Sequence, residues 1–191
     1  SKVSLVSKSE EQRLIKLGTG AALEYDNAVT IISLFKSQVK KTPNNTAIVY
    51  LDRQMTYKEL DEVTDRLAVM LHSLGVTLEV PVGVIVKRSE LMVIFPLAIM
   101  KAGGAYVPLD HSFPESRLLY MCKDAGISLI LADDDLALTA IPSFQGDILG
   151  SSILETLPKA NKEKLSNLPV ATMDNKFVIL YTSGSTGNPK G

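Results

Sequence analysis

Cysteine is all but missing from this chain: Cys122 stands alone among 191 residues. A single thiol excludes an intramolecular disulfide framework and any zinc or iron–sulfur site built from several cysteines, and it fits a reducing compartment. Neither sign of charge is in excess, since 20 Lys and Arg face 21 Asp and Glu for a net charge of -1. That balance argues against a protein that lives on nucleic acid, where neutralising phosphates needs a basic surplus. Long hydrophobic runs are absent too. The longest apolar stretch, 91–100, contains Pro96 and falls well short of the ~18 residues a membrane span needs. Residues 1–4 lack the basic, apolar and small-residue layout of a signal peptide. The expectation is a cytoplasmic protein with no nucleic-acid and no membrane partner. What is present, 46% hydrophobic and 21% charged residues, is an ordinary globular composition that can bury a core as one domain or most of a larger one.

The chain reads as alternating helices and strands. Ser7 and Glu10 have capping-box spacing ahead of Leu14 and Leu17, and Gly18 and Gly20 end that helix. A second helix carries Ile31, Leu34, Phe35 and Val39 on one face, with Lys36, Lys40 and Lys41 outward and Pro43 beyond its stop. Residues 46–51 (TAIVYL) read as a strand, followed by a turn at Asp52 and Arg53. Thr56 caps a long helix from Tyr57, striped by Leu60, Val63, Leu67, Leu71 and Leu74 and closed by Gly75. Strands are expected at 81–87, 105–109, 127–132 and 177–181, and helices at 89–101 and 114–125. This order predicts an α/β fold with a largely parallel sheet flanked by helices, in which 46–51, 81–87, 127–132 and 177–181 share one sheet. Between 133 and 175 the pattern weakens into short irregular elements.

The chemistry concentrates after the last strand. Thr182, Ser183, Gly184, Ser185, Thr186, Gly187, Asn188, Pro189, Lys190 and Gly191 follow it directly. Three glycines permit a tight backbone and close approach of main-chain N–H groups to an anion. Four hydroxyls add donors and Lys190 a positive charge, a set suited to a polyphosphate. It is not a Walker A loop, because no Gly-Lys-Ser/Thr occurs, and no G-x-G-x-x-G follows a strand.

YTSGSTGNPKG at 181–191 resembles the phosphate-binding loop of the adenylate-forming enzymes: acyl-CoA synthetases, luciferases and nonribosomal peptide synthetase adenylation domains. KAGGAYVPLD at 101–110 resembles the second core motif of the last group, and MTYKEL at 55–60 its first. Leu34-Phe35, Gln38-Val39, Thr42-Pro43, Pro114 and Arg117-Leu118 fit as well, so the likeness runs from about Leu14 to Gly191. The resemblance implies that 1–191 is the incomplete N-terminal portion of an adenylation domain, the first part of its large subdomain. The chain then stops inside the phosphate loop and lacks the small C-terminal domain. The implied function is ATP-dependent activation of an amino acid as its adenylate, with release of pyrophosphate and transfer to a phosphopantetheine thiol, as in antibiotic and other secondary-metabolite synthesis. ATP and Mg²⁺ are the implied cofactors, with phosphopantetheine on a partner carrier protein. Condensation domains and the remainder of the adenylation domain are further implied partners. Thr182, Ser183, Gly184, Ser185, Thr186, Gly187 and Lys190 would hold the β- and γ-phosphates. No catalytic residue and no metal ligand is assigned within 1–191, and the segment alone is expected to be inactive. An acyl- or aryl-CoA ligase of the same superfamily and a non-catalytic module packing on another chain are the rival readings; a P-loop kinase or ATPase is disfavoured.

Other candidates read as structural. Lys101 with Gly103-Gly104 looks like a helix C-terminus with its glycine stop. Asp110 reads as a turn residue, His72 and His111 as structural histidines, and Cys122 as a core thiol that nothing activates.

Overall fold

A computed structural model of the chain describes residues 6–21, 29–182 and 189–191. In chain order the elements are α1 (Lys8–Gly18), α2 (Ile31–Lys41), β1 (Thr46–Tyr50), β2 (Arg53–Thr56), α3 (Tyr57–Ser73), β3 (Pro81–Ile85), α4 (Leu91–Lys101), β4 (Ala105–Pro108), α5 (Glu115–Ala125), β5 (Leu129–Ala132), α6 (Asp134–Ala140), β6 (Asp147–Gly150), α7 (Ile153–Thr156) and α8 (Lys162–Ser166).

Four strands form a parallel sheet in the order β4-β3-β5-β6. The apolar runs of β3 and β5 are nearly continuous because both faces are covered. Val82, Val84, Leu129 and Leu131 pack with Leu67, Leu71, Phe95 and Ile99 of α3 and α4 on one face. Ile85, Val107, Ile130 and Ala132 pack with Leu118, Met121 and Cys122 of α5 on the other. The α/β reading therefore stands. The membership of the sheet differs from expectation in three places.

The run at 46–51 is not in it. β1 pairs antiparallel with β2 as a separate two-stranded hairpin, turning at Leu51, which takes φ +51°. The connection is too short for a parallel neighbour, which needs a crossover of a dozen residues or more. The run at 177–181 touches the sheet at one isolated parallel bridge, Val178 to Tyr106 at the β4 edge, instead of forming a ladder. Conversely, β6 lies within a stretch that reads as irregular, yet pairs in register with β5 from Leu129–Asp147 to Ala132–Gly150.

Local signals hold where helices begin. Thr56 accepts from the Glu59 backbone N–H at 3.2 Å, and the Glu59 carboxylate accepts from the Thr56 N–H at 2.8 Å, a complete capping box. These bonds from the Thr56 backbone and then its hydroxyl hold the Glu59 carboxyl below its ordinary pKa. Thr56→Ala is expected to lower the unfolding free energy by about 1 kcal/mol. Urea unfolding followed by circular dichroism checks this, and an unchanged midpoint would show that the cap is idle.

Candidate functional site

In an open parallel sheet, ligands bind beyond the carboxyl ends of the strands. The segment leading to the candidate loop reaches that side from the β4 edge. The Tyr106 N–H donates to the Phe177 carbonyl at 3.0 Å, and the Ile179 N–H donates to the Tyr106 carbonyl at 3.1 Å. Just before it, Lys176 Nζ pairs with Glu79 Oε2 at 2.8 Å, and Asn175 Nδ2 donates to Glu79 Oε1 at 3.1 Å. The Lys176 side chain, then Asn175, hold the Glu79 carboxyl down at about 2. Glu79 itself sits at φ +64° in the turn before β3, so the approach to the loop is tied to the base of the sheet.

The loop is closed at its neck. Thr182 N–H donates to the Lys190 carbonyl at 2.9 Å, and Lys190 N–H returns a bond to the Thr182 carbonyl at 3.1 Å. Tyr181 enters this neck with its ring packed among the apolar residues around α5. Its hydroxyl donates to Asp124 Oδ2 at 2.7 Å, with the Met121 carbonyl a longer acceptor at 3.3 Å. Gly191, next to Lys190, comes close to that ring: a Cβ there would stand 2.8 Å from Tyr181 Cζ. Of the sequence-expected phosphate ligands, Thr182 and Lys190 are thus brought together, and both are exposed. Ser183, Gly184, Ser185, Thr186 and Gly187 lie outside the described residues.

A cleft of about 530 Å³ opens where the strand order reverses, beyond β3 and β5, lined in part by Glu90, Asp133, Asp134 and Ser152. Its carboxylates hold the loops together. Asp133 accepts from the Lys87 N–H at 2.6 Å, and Asp134 accepts from the N–H and hydroxyl of Ser152. A more apolar groove of about 700 Å³ runs between α2 and residues 165–177. Among the described residues, no three His, Cys, Asp or Glu side chains converge to hold a metal ion. No helix among them is long and apolar enough to cross a membrane.

Lys101 does end its helix, but its side chain has a second role that sequence reasoning missed. Only 2% exposed, its ammonium donates to Asp61 Oδ1 at 2.7 Å, Asp65 Oδ1 at 2.6 Å and Thr64 Oγ1 at 2.7 Å. Lys36 of α2 reaches the same two carboxylates at 2.7 and 2.8 Å, so one ionic cluster joins α2, α3 and α4. Burial pushes the Lys101 ammonium down from the ordinary lysine pKa, against the pull of Asp65 and Asp61. The i, i+4 spacing of Asp61 and Asp65 was legible; their convergence on two lysines from other helices was not.

Asp110, His72 and Cys122 have structural surroundings. Asp110 Oδ1 accepts from the Ser112 N–H at 2.9 Å, as a turn residue does. His72 Nδ1 lies 3.1 Å from the Val76 carbonyl, and burial pushes the Cys122 thiol up to about 11.

The family model described as "AMP-binding enzyme" matches residues 35–191. Tyrocidine synthase 3 of Brevibacillus parabrevis is 37% identical over 197 residues, covering 100% of this chain and 3% of that protein. The solved NpsA N-terminal subdomain of Klebsiella oxytoca in complex with 3-hydroxybenzoyl-AMSN superposes with a TM-score of 0.75 at 30% identity, over 90% of this chain and 42% of that one. The nonribosomal peptide synthetase FmoA3 (S1046A) in its AMPPNP-bound form gives a TM-score of 0.79 at 27% identity, over 90% of this chain and 18% of that one. The chain thus spans a small part of the synthetase it matches and less than half of each solved chain.

Proposed function

Because the chain belongs to the AMP-binding enzyme family, we propose that it supplies the phosphate-handling part of an adenylation domain that activates an amino acid for nonribosomal peptide synthesis. The substrate carboxylate attacks the α-phosphorus of ATP, the bond to the β-phosphate oxygen breaks, and aminoacyl adenylate and pyrophosphate result. A carrier-protein phosphopantetheine thiol then takes the acyl group and AMP leaves. The observation that carries this reading is the neck: a glycine- and hydroxyl-rich loop, closed by the Thr182–Lys190 pair, follows a segment bridged to the edge of a parallel sheet. Residues 182–187 would present N–H and hydroxyl donors to the β- and γ-phosphates, and Lys190 an ammonium. Catalysis of this kind rests on positioning and charge stabilisation. Magnesium would neutralise part of the triphosphate charge; no ligand to it is assigned to these residues.

ATP–pyrophosphate exchange by the intact protein carrying this chain, with a pool of amino acids, tests the proposal. Exchange is expected with an amino acid and absent for 1–191 alone, which lacks the rest of the fold that its relatives carry. Clear exchange by 1–191 alone would overturn the reading. An aryl acid is the second reading, favoured by the 3-hydroxybenzoyl-AMSN complex of the NpsA subdomain. Exchange with benzoic acids but with no amino acid would select it.

A further inference from the structure

We infer that Asp124 and Tyr181 act as a positioning pair for the phosphate-handling loop, the Asp124 carboxylate fixing the Tyr181 ring on which both ends of that loop rest. The inference builds on the function proposed above. Tyr181 is the residue through which the chain enters the neck, and Gly191 the residue through which it leaves. Both meet at one phenol ring, because Gly191 approaches Tyr181 more closely than any side chain would allow, 2.8 Å from an added Cβ to Cζ and 3.0 Å to Cε2. The Thr182–Lys190 pair stands one residue further in. The height of the ring therefore sets the height of the neck.

Two things hold the ring. Its apolar body packs against the α5 side of the sheet. Its hydroxyl donates to Asp124 at 2.7 Å, a short charge-assisted bond. Burial, and then the adjacent Asp124, push the phenol's pKa up, so the proton stays on Tyr181 and the direction of donation is fixed. Asp124 has no local reason to be where it is. It lies in the last turn of α5, where the helix dipole disfavours a carboxylate and favours a cation such as its neighbour Lys123. The contact with Tyr181 supplies the reason that helix chemistry does not.

The test uses the intact protein bearing Asp124→Ala, Asp124→Asn, Tyr181→Phe or the Asp124→Ala/Tyr181→Phe pair, each checked for folding by circular dichroism. Misplacing a reacting group by ~1 Å costs on the order of 100-fold, and a loosened neck should cost part of that. In pyrophosphate exchange, Asp124→Ala and Tyr181→Phe should each lower kcat/KM for ATP about tenfold, leaving KM for the acid substrate unchanged. Asp124→Asn, which keeps an acceptor oxygen, should recover most of the loss. The double variant should be no worse than either single, because both remove the same contact. Amide hydrogen exchange at Thr182 and Lys190 should quicken in the single variants. The inference is overturned if Asp124→Ala stays within about twofold of the parent in kcat/KM for ATP. It is equally overturned if the double variant loses the product of the two single losses, or if KM for the acid rises as much as KM for ATP. Should the parent protein exchange pyrophosphate with no acid at all, the proposed function falls. Amide exchange at Thr182 and Lys190 then decides the pairing by itself.

Discussion

Lys101→Met is expected to lower the unfolding free energy by about 3 kcal/mol, because removing one partner of a buried ionic cluster strands the charges that remain. The Lys101 ammonium is enclosed by Asp61, Asp65, the Thr64 hydroxyl and the Asp61 carbonyl, and it lies 5.1 Å from the centre of the Phe35 ring. Methionine fills much of the volume but donates nothing, leaving two half-buried carboxylates with Lys36 as their common cation. Lys36→Met should cost less, about 1 kcal/mol, since its side chain is 37% exposed and water replaces it. The pH dependence follows from Asp61. Burial is the largest influence on Asp61 and pushes its pKa up, but hydrogen bonds from Lys101 and Lys36 outweigh it, and the net direction is down. A depressed carboxylate stabilises fully above its unfolded value, about 3.9, and that contribution is lost as the pH falls through the folded value. Urea titrations at neutral pH and at pH values below about 3.9, where the Asp61 contribution is lost, check both points. A Lys101→Met protein as stable as its parent, or one whose acid sensitivity is unchanged, would show that the cluster is not what joins the three helices. Adding Asp61→Asn and Asp65→Asn to Lys101→Met should restore part of the loss, since it removes the stranded charge.

Gly184→Val or Gly187→Val should reduce pyrophosphate exchange by about 100-fold, the scale of losing one well-placed donor to developing charge. Under the proposed function, glycines at 184 and 187 would let successive N–H groups and the hydroxyls of Ser183, Ser185 and Thr186 converge on one anion, and a branched side chain at either glycine would displace several donors together. Lys190→Ala should be milder, about tenfold or less, because Lys190 is exposed and an exposed charge contact contributes little by itself. Its backbone, which closes the neck with Thr182, is unaffected by that change. Exchange rates and KM for ATP in the intact protein, with folding checked for each variant, give the ranking. If Lys190→Ala proves the most damaging of the three, the loop works through its lysine charge, not through a cradle of donors.

The sequence by itself determined what is local and what is periodic. Thr56 with Glu59 marked the start of α3, Leu60, Leu67 and Leu71 of the stripe marked its buried face while Leu74 caps the helix and is exposed, and the unbroken apolar runs of β3 and β5 marked strands covered on both sides. Glycine spacing and hydroxyl density marked the candidate loop, because chain entropy and donor placement are written in consecutive residues. Tertiary structure decided what depends on partners distant in the chain. Residues 46–50 are as apolar as a sheet strand, yet a tight turn commits them to β2, and residues 177–181 find the β4 edge only at Val178. β6 has almost no β signal of its own and exists because the exposed edge of β5 offers it a backbone ladder. The same holds for side chains. Lys101 on α4 meets Asp61 and Asp65 on α3 from some 40 residues away, and Asp124 meets Tyr181 from 57 residues away. A pattern read along the chain records which face of an element is apolar. It does not record which charges that face will meet once the helices close on the sheet, because those encounters are set by the angles and distances at which whole elements pack.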